Sequence, residues 1–241
     1  MEQQIRFCTT SDGVRIAYAV IGADRPRLPV VWCGWWQHLQ MDWEREEARR
    51  SWEPLARHRP VIWFSRRGCG LSDREIADFF LRSQVLDLDA VISHLALERC
   101  FLIGNGPGGP PAIAYAVTNP GRVLRLALFD TYYLGPKITT PERQEAFLSL
   151  IRAHWGLGSK TLIDIFIPGA EPEVERFFLR YQREVASAEN VAEMLRELYN
   201  TDVSELLGQV NVPTLILHRT GSRAMPFNQG REMAALRRPR Q

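Results

Sequence analysis

Seven short runs rich in β-branched and aromatic residues recur along the chain, at 4–9, 14–21, 28–33, 61–65, 100–105, 123–130 and 212–218. Between them lie stretches with apolar residues at helical spacing: 43–55, 81–95, 110–118 and 228–236. In the second of these, Val85, Leu88, Val91, Ile92 and Leu95 fall on one face. Short apolar runs bounded by turn residues predict strands, and the longer amphipathic stretches predict helices. Their alternation predicts an α/β fold with a mostly parallel sheet, because parallel neighbours need a crossover long enough to hold a helix. The first two runs are joined by Ser11-Asp12-Gly13, and Asp-Gly supplies the positive-φ turn of a tight hairpin, so the sheet is expected to open antiparallel.

From 131 to 200 the strand rhythm stops. Helical patches at 141–154, 161–167, 174–185 and 191–199 replace it and predict a helical lid over the carboxyl edge of the sheet. Three segments follow: a core unit over 1–130, the lid over 131–200 and a second core unit over 201–241. The large apolar residues of the lid, Phe147, Leu150, Trp155, Phe166, Phe177, Phe178 and Tyr181, are expected mainly to pack it onto the body.

With 241 residues, 45% of them hydrophobic, the chain can bury the core of a single domain. A net charge of +2 gives no reason to expect a nucleic-acid partner, and the basic tail of Arg237, Arg238 and Arg240 reads as solvated. No apolar run approaches the ~20 residues of a membrane helix. The opening Met1-Glu2-Gln3-Gln4 is unlike a signal peptide. Cys8, Cys33, Cys69 and Cys100 lack zinc or CxxC spacing, which points to a reduced, cytoplasmic setting with cysteines as core fillers and no metal.

Five stretches carry a more specific signal: Asp12-Gly13-Val14-Arg15-Ile16-Ala17-Tyr18, Trp32-Cys33-Gly34-Trp35-Trp36, Arg66-Arg67-Gly68-Cys69-Gly70-Leu71-Ser72-Asp73, Pro120-Gly121-Arg122-Val123 and Val212-Pro213-Thr214-Leu215-Ile216-Leu217-His218. Through them nearly the whole chain resembles the α/β-hydrolase fold family, within it the hydrolases that stand alone or are fused to bacterial cyclases and regulators. The resemblance implies a G-x-S-x-G elbow, in which the nucleophile sits on a strained strand-to-helix turn. Here that segment is Gly104-Asn105-Gly106-Pro107-Gly108-Gly109, and Gly106 stands in the nucleophile's place. Hydrogen offers no attacking atom, so acyl-enzyme chemistry is closed at that position.

Other parts of the implied machinery are altered too. The residue after the nucleophile donates its backbone N–H to the oxyanion, but Pro107 has none. Loss of one such donor costs about 2.7–4 kcal/mol of transition-state stabilisation. The second donor is expected from Trp35 or Trp36. The acid position after the seventh strand holds Ser222, whose neutral hydroxyl cannot hold an imidazolium as a carboxylate does. Asp130, at the end of the sixth strand, is the candidate surviving acid, with capping of the turn as its alternative role. The resemblance also implies a histidine after an eighth strand and a last helix, which are expected to be missing from this sequence. Of His38, His58, His94, His154 and His218, only His38 is expected to face the cleft. Ser65 stands where the family usually has an aspartate, which would leave Arg66 or Arg67 short of a partner.

These readings predict a degenerate family member without cofactor, acting as a small-molecule-binding or interaction module or a remnant. Its apolar pocket is expected to be lined by Trp35, Trp36, His38 and Pro107 and to suit a small hydrophobic ligand. One alternative is an active hydrolase of a small ester, lactone or epoxide working through Asp130, His38 or Cys33. Another is a dinucleotide binder, since Gly104, Gly106 and Gly109 fit G-x-G-x-x-G and precede Asp130 by a suitable interval. A seventh strand left at the sheet edge would favour dimerisation or aggregation.

Overall fold

The computed structural model describes residues 2–22, 24 and 27–237. Its seven strands are β1 (Gln4–Thr9), β2 (Arg15–Ile21), β3 (Val30–Cys33), β4 (Val61–Phe64), β5 (Cys100–Asn105), β6 (Val123–Phe129) and β7 (Thr214–Leu217). They form one sheet in the order β1-β2-β4-β3-β5-β6-β7. β1 and β2 pair antiparallel, as do β2 and β4, and every pairing from β4 to β7 is parallel. The expected hairpin is present, with Gly13 at φ +91° in its turn. β4 is buried along its whole length, as an interior strand covered on both faces must be.

Helices fill the crossovers: α1 (Leu39–Glu44), α2 (Glu46–Ala56), α3 (Leu81–His94), α4 (Gly109–Thr118), then α5 (Pro141–Ala153), α6 (Trp155–Phe166), α7 (Pro172–Val185), α8 (Ala188–Asn200), the short α9 (Ser204–Leu207), and α10 (Phe227–Leu236). α4 is apolar all round and nearly all buried, as expected of a helix inside the core. Pro110 and Pro111 occupy its first turn, where backbone N–H groups have no partner within the helix.

The one helix expected over 43–55 is two. Arg45 is extended, with φ −84° and ψ 122°, and separates α1 from α2. The break lets Trp43 and Trp52 both stack on the buried Trp63, with ring centroids 6.0 and 5.5 Å away. Packing of large aromatic faces overrides the continuous helical period. The four-residue α9 carried too few residues to show a period at all.

Two apolar clusters matter for function. One lies between the sheet and α3, α4 and α10 and includes Leu88, Ile92, Leu102, Ile113 and Met233. The other joins Trp35, Met41 and Phe79 of the body to Leu148, Leu162, Tyr181, Leu195 and Leu198 of α5 to α8. Helices α5 to α8 thus bury their apolar stripes against the carboxyl ends of the strands.

The missing partner expected beside Ser65 is compensated. The Arg67 guanidinium bonds Asp87 Oδ1 at 2.9 Å and Asp12 Oδ2 at 2.9 Å, and its backbone N–H reaches Asp87 Oδ2. Arg66 donates to Gln84 and, at 3.5 Å, to the Pro107 carbonyl. Ser65 Oγ donates to the Gln37 carbonyl at 2.8 Å. The solvated tail also needs correction: Arg237 donates to the carbonyls of Thr214 and Val212 at 3.1 and 2.9 Å, along the outer side of β7. Arg238 and Arg240 lie outside the described residues. Among the described residues no helix is long and apolar enough to cross a membrane.

Candidate functional site

The site is built around the turn from β5 into α4. Gly106 has φ +51°, the left-handed conformation that an elbow requires. Its flanking glycines are demanded by packing. A Cβ at Gly104 would stand 2.8 Å from Gly109 Cα, one at Gly108 would collide with the Cys33 carbonyl, and one at Gly109 would collide with the Thr131 side chain. Gly106 differs from all three, because a Cβ there would meet nothing within 4 Å. The backbone therefore presents a residue at 106 to open space and supplies only hydrogen. The Gly106 carbonyl accepts from Thr131 Oγ1, which ties the turn to the end of β6.

A cavity of 380 Å³ opens in front of this turn. Its wall includes Asn105, Gly106 and Pro107 from the elbow, Trp35 and Trp36 from the loop after β3, and Phe166, Phe178 and Tyr181 from α6 and α7. Trp35 and Trp36 stack with centroids 4.0 Å apart, and Trp35 packs on Phe166 at 5.3 Å. A second cavity of 390 Å³ adjoins it, sharing Trp35, Phe166, Ala224 and Met225 and extending along Phe147 and Leu198. The aromatics of α5 to α7 thus serve two ends at once: Tyr181 belongs to the apolar cluster and lines the cavity, and Phe147 and Phe166 do the same.

Asp130 also lies in the cavity wall, in the left-handed region at φ +47°, which aspartate tolerates better than most residues. Its carboxylate is held by Arg219 Nε at 2.8 Å, Arg219 Nη2 at 2.5 Å, the Arg219 backbone N–H at 3.3 Å and Ser222 Oγ at 3.0 Å. The two candidate acid positions therefore meet: Ser222 donates to Asp130. His218 Nε2 is 3.6 Å from the same carboxylate. The side-chain types of a triad are gathered here in an order that cannot work as one. The serine bonds the carboxylate, and the imidazole Nε2 bonds the Met225 carbonyl at 3.0 Å, so no base stands on the Ser222 hydroxyl.

The structure takes His38 out of the expected pocket. Its Nδ1 accepts from the Met41 N–H at 3.4 Å as the N-cap of α1, and its backbone N–H donates to the Tyr181 hydroxyl at 3.1 Å. Burial holds its imidazole below the ordinary histidine value. The Tyr181 hydroxyl in turn donates to Asp42 Oδ1 at 2.6 Å, and burial raises the Asp42 carboxyl to about 7. Cys33 is no nucleophile either: burial pushes its thiol up to about 12. Of the glycines read as a dinucleotide fingerprint, Gly104 and Gly109 are held by strand-to-helix packing, and the Asp130 carboxylate is held by Arg219. Among the described residues no cluster of His, Cys, Asp and Glu could hold a metal.

Arg219 is the residue that sequence reasoning passed over. It stands directly after His218 at the end of a strand that pairs with the one ending at Asp130, and that adjacency was the available signal.

The profile of the alpha/beta hydrolase fold family matches residues 43–241. The chain belongs to this family. The AB hydrolase superfamily protein YisY of Bacillus subtilis is 26% identical over 238 residues, 94% of this chain and 85% of that one. A non-heme chloroperoxidase of Streptomyces lividans is 27% identical over 235 residues, covering 91% of this chain and 83% of its own. Among solved structures, an esterase from Exiguobacterium antarcticum superposes with a TM-score of 0.82 at 23% identity, over 97% of this chain and 88% of the esterase.

Proposed function

We propose that this family member holds a small apolar molecule between its strand ends and helices α5 to α8, with those helices as a lid, and that it does so without forming an acyl-enzyme. The observation that carries the reading is Gly106: the positive φ and open front of an elbow are kept while the attacking atom is missing. Pro107 supports it, since a proline cannot donate to an oxyanion. The aromatic walls of Trp35, Trp36, Phe166 and Phe178 give the ligand its apolar contact.

A second reading is favoured by the hydrolase, esterase and chloroperoxidase names of the similar proteins, and by Asp130 sharing a cavity with Gly106. In it the chain hydrolyses a small ester or lactone with water as the nucleophile. Asp130 accepts a proton as the water oxygen adds to the carbonyl carbon, and returns it to the departing alkoxide.

A panel of short aryl esters and lactones separates the two. Binding seen by tryptophan fluorescence, with hydrolysis at the buffer rate, supports the first reading. Turnover that resists a serine-directed phosphonate and disappears in Asp130→Asn supports the second. A covalent adduct on the turn at 104–109 would refute both.

A further inference from the structure

Resting on the reading of this cavity as a ligand site, we infer that its ligand is an apolar carboxylic acid, with the carboxylate seated against Arg219 beside the elbow. The ionisable side chains in the walls of the two adjoining cavities, apart from tyrosines, are three arginines, Arg143, Arg219 and Arg223, and one aspartate, Asp130. Arg219 is paired with Asp130 and Arg223 lies 3.7 Å from Asp164, so the walls, mostly apolar and aromatic but with Asn105, Gln182, Thr139 and Thr161 among them, keep an excess of positive charge that favours an anion.

Arg219 is placed for the role. Its side chain is 52% exposed, while that of Asp130 is 6% exposed. Two of the five guanidinium N–H donors, on Nε and Nη2, are directed at Asp130, and those on Nη1 lie away from that edge. The pair with Asp130 fixes the plane of the guanidinium, so less side-chain freedom is lost when a second carboxylate binds. Asp130 is the one negative group facing the ligand. Its charge is spread over the Arg219 side chain and backbone and Ser222 Oγ, which reduces its repulsion of an incoming carboxylate.

The elbow contributes space. With only hydrogen at Gly106 and nothing within 4 Å of the Cβ position, a carboxylate can come up to the turn where a side chain would otherwise stand. The apolar body then lies along Trp35 and Phe166, which line both cavities, toward the second one. Arg223, 3.7 Å from Asp164, and Arg143 stand in the wall of that second cavity.

The test compares 4-phenylbutyrate with its uncharged counterpart 4-phenylbutan-1-ol, by calorimetric titration near neutral pH and low salt. The acid is expected to bind at least about tenfold more tightly. Because Arg219→Gln alone would strand the buried Asp130 charge, the variant is the double Arg219→Gln/Asp130→Asn, with thermal melting to verify folding. It should reduce the acid-to-alcohol ratio to about one while leaving the alcohol's affinity within about twofold, and Arg219→Lys should keep most of the preference. Equal binding of acid and alcohol to the wild type, or a preference that survives in the double variant, overturns the carboxylate assignment and leaves the apolar site standing. Binding of neither compound overturns both.

Discussion

Substituting Gly106 by serine tests the account of the elbow more sharply than any deletion, because the structure predicts both what it costs and what it fails to restore. The added Cβ meets nothing within 4 Å, so no packing penalty is expected. The remaining cost is that of holding a side chain at φ +51°, about 1–2 kcal/mol. For a chain of this size each kcal/mol moves the melting temperature by about 2–4 °C, so Gly106→Ser should melt roughly 2–8 °C below the wild type. Gly108→Ala provides the contrast. Its Cβ would run into the Cys33 carbonyl oxygen, a backbone atom that cannot yield cheaply, and should cost about 3 kcal/mol or more. Differential scanning calorimetry of the three proteins checks the order. Serine at 106 should also remain unlabelled by a fluorophosphonate at the rates of serine hydrolases, since among the described residues no histidine lines this cavity to take its proton. If Gly106→Ser unfolds as readily as Gly108→Ala, the description of an intact elbow is wrong. If it labels rapidly, a base stands near the turn and the account of the missing chemistry fails.

Other outcomes follow from buried charge. Burial lifts the Asp42 carboxyl from 3.8 to about 7, so between those values the folded protein binds a proton that the unfolded chain has released, and stability falls as pH rises through that window. Asp42→Asn should therefore gain stability relative to the wild type as pH rises from about 5 to 8, by at most about 3 kcal/mol, read from melting temperatures across that range; a pH-independent difference would refute this. Arg67→Met leaves Asp87 buried without its counter-charge and should cost about 3–5 kcal/mol by chemical denaturation, whereas a loss below 1 kcal/mol would show the network to be dispensable. All four cysteine thiols are buried and raised to about 11 or 12, so Ellman's reagent should find almost no reactive thiol in the native protein and four in guanidinium. Rapid labelling of native protein would contradict the packing around Cys33 and Cys69.

The alternation of strands and helices, the opening hairpin and the helical run after β6 were legible in the sequence, because each depends on periods and turns formed by near neighbours in the chain. So was the lack of a nucleophilic side chain at 106 and of a backbone N–H at 107: a glycine and a proline there are facts of composition that no folding can change. Tertiary structure decided which polar groups meet. Arg219 and Asp130 are 89 residues apart, and they face one another only because β6 and β7 pair in register at the sheet's edge. The same packing turned His38 away to cap α1, divided one amphipathic stretch so that two tryptophans could stack on Trp63, and laid Arg237 along the outer carbonyls of β7. Contacts across such separations are set by sheet order and by the burial of whole faces, and no local window of sequence carries that information.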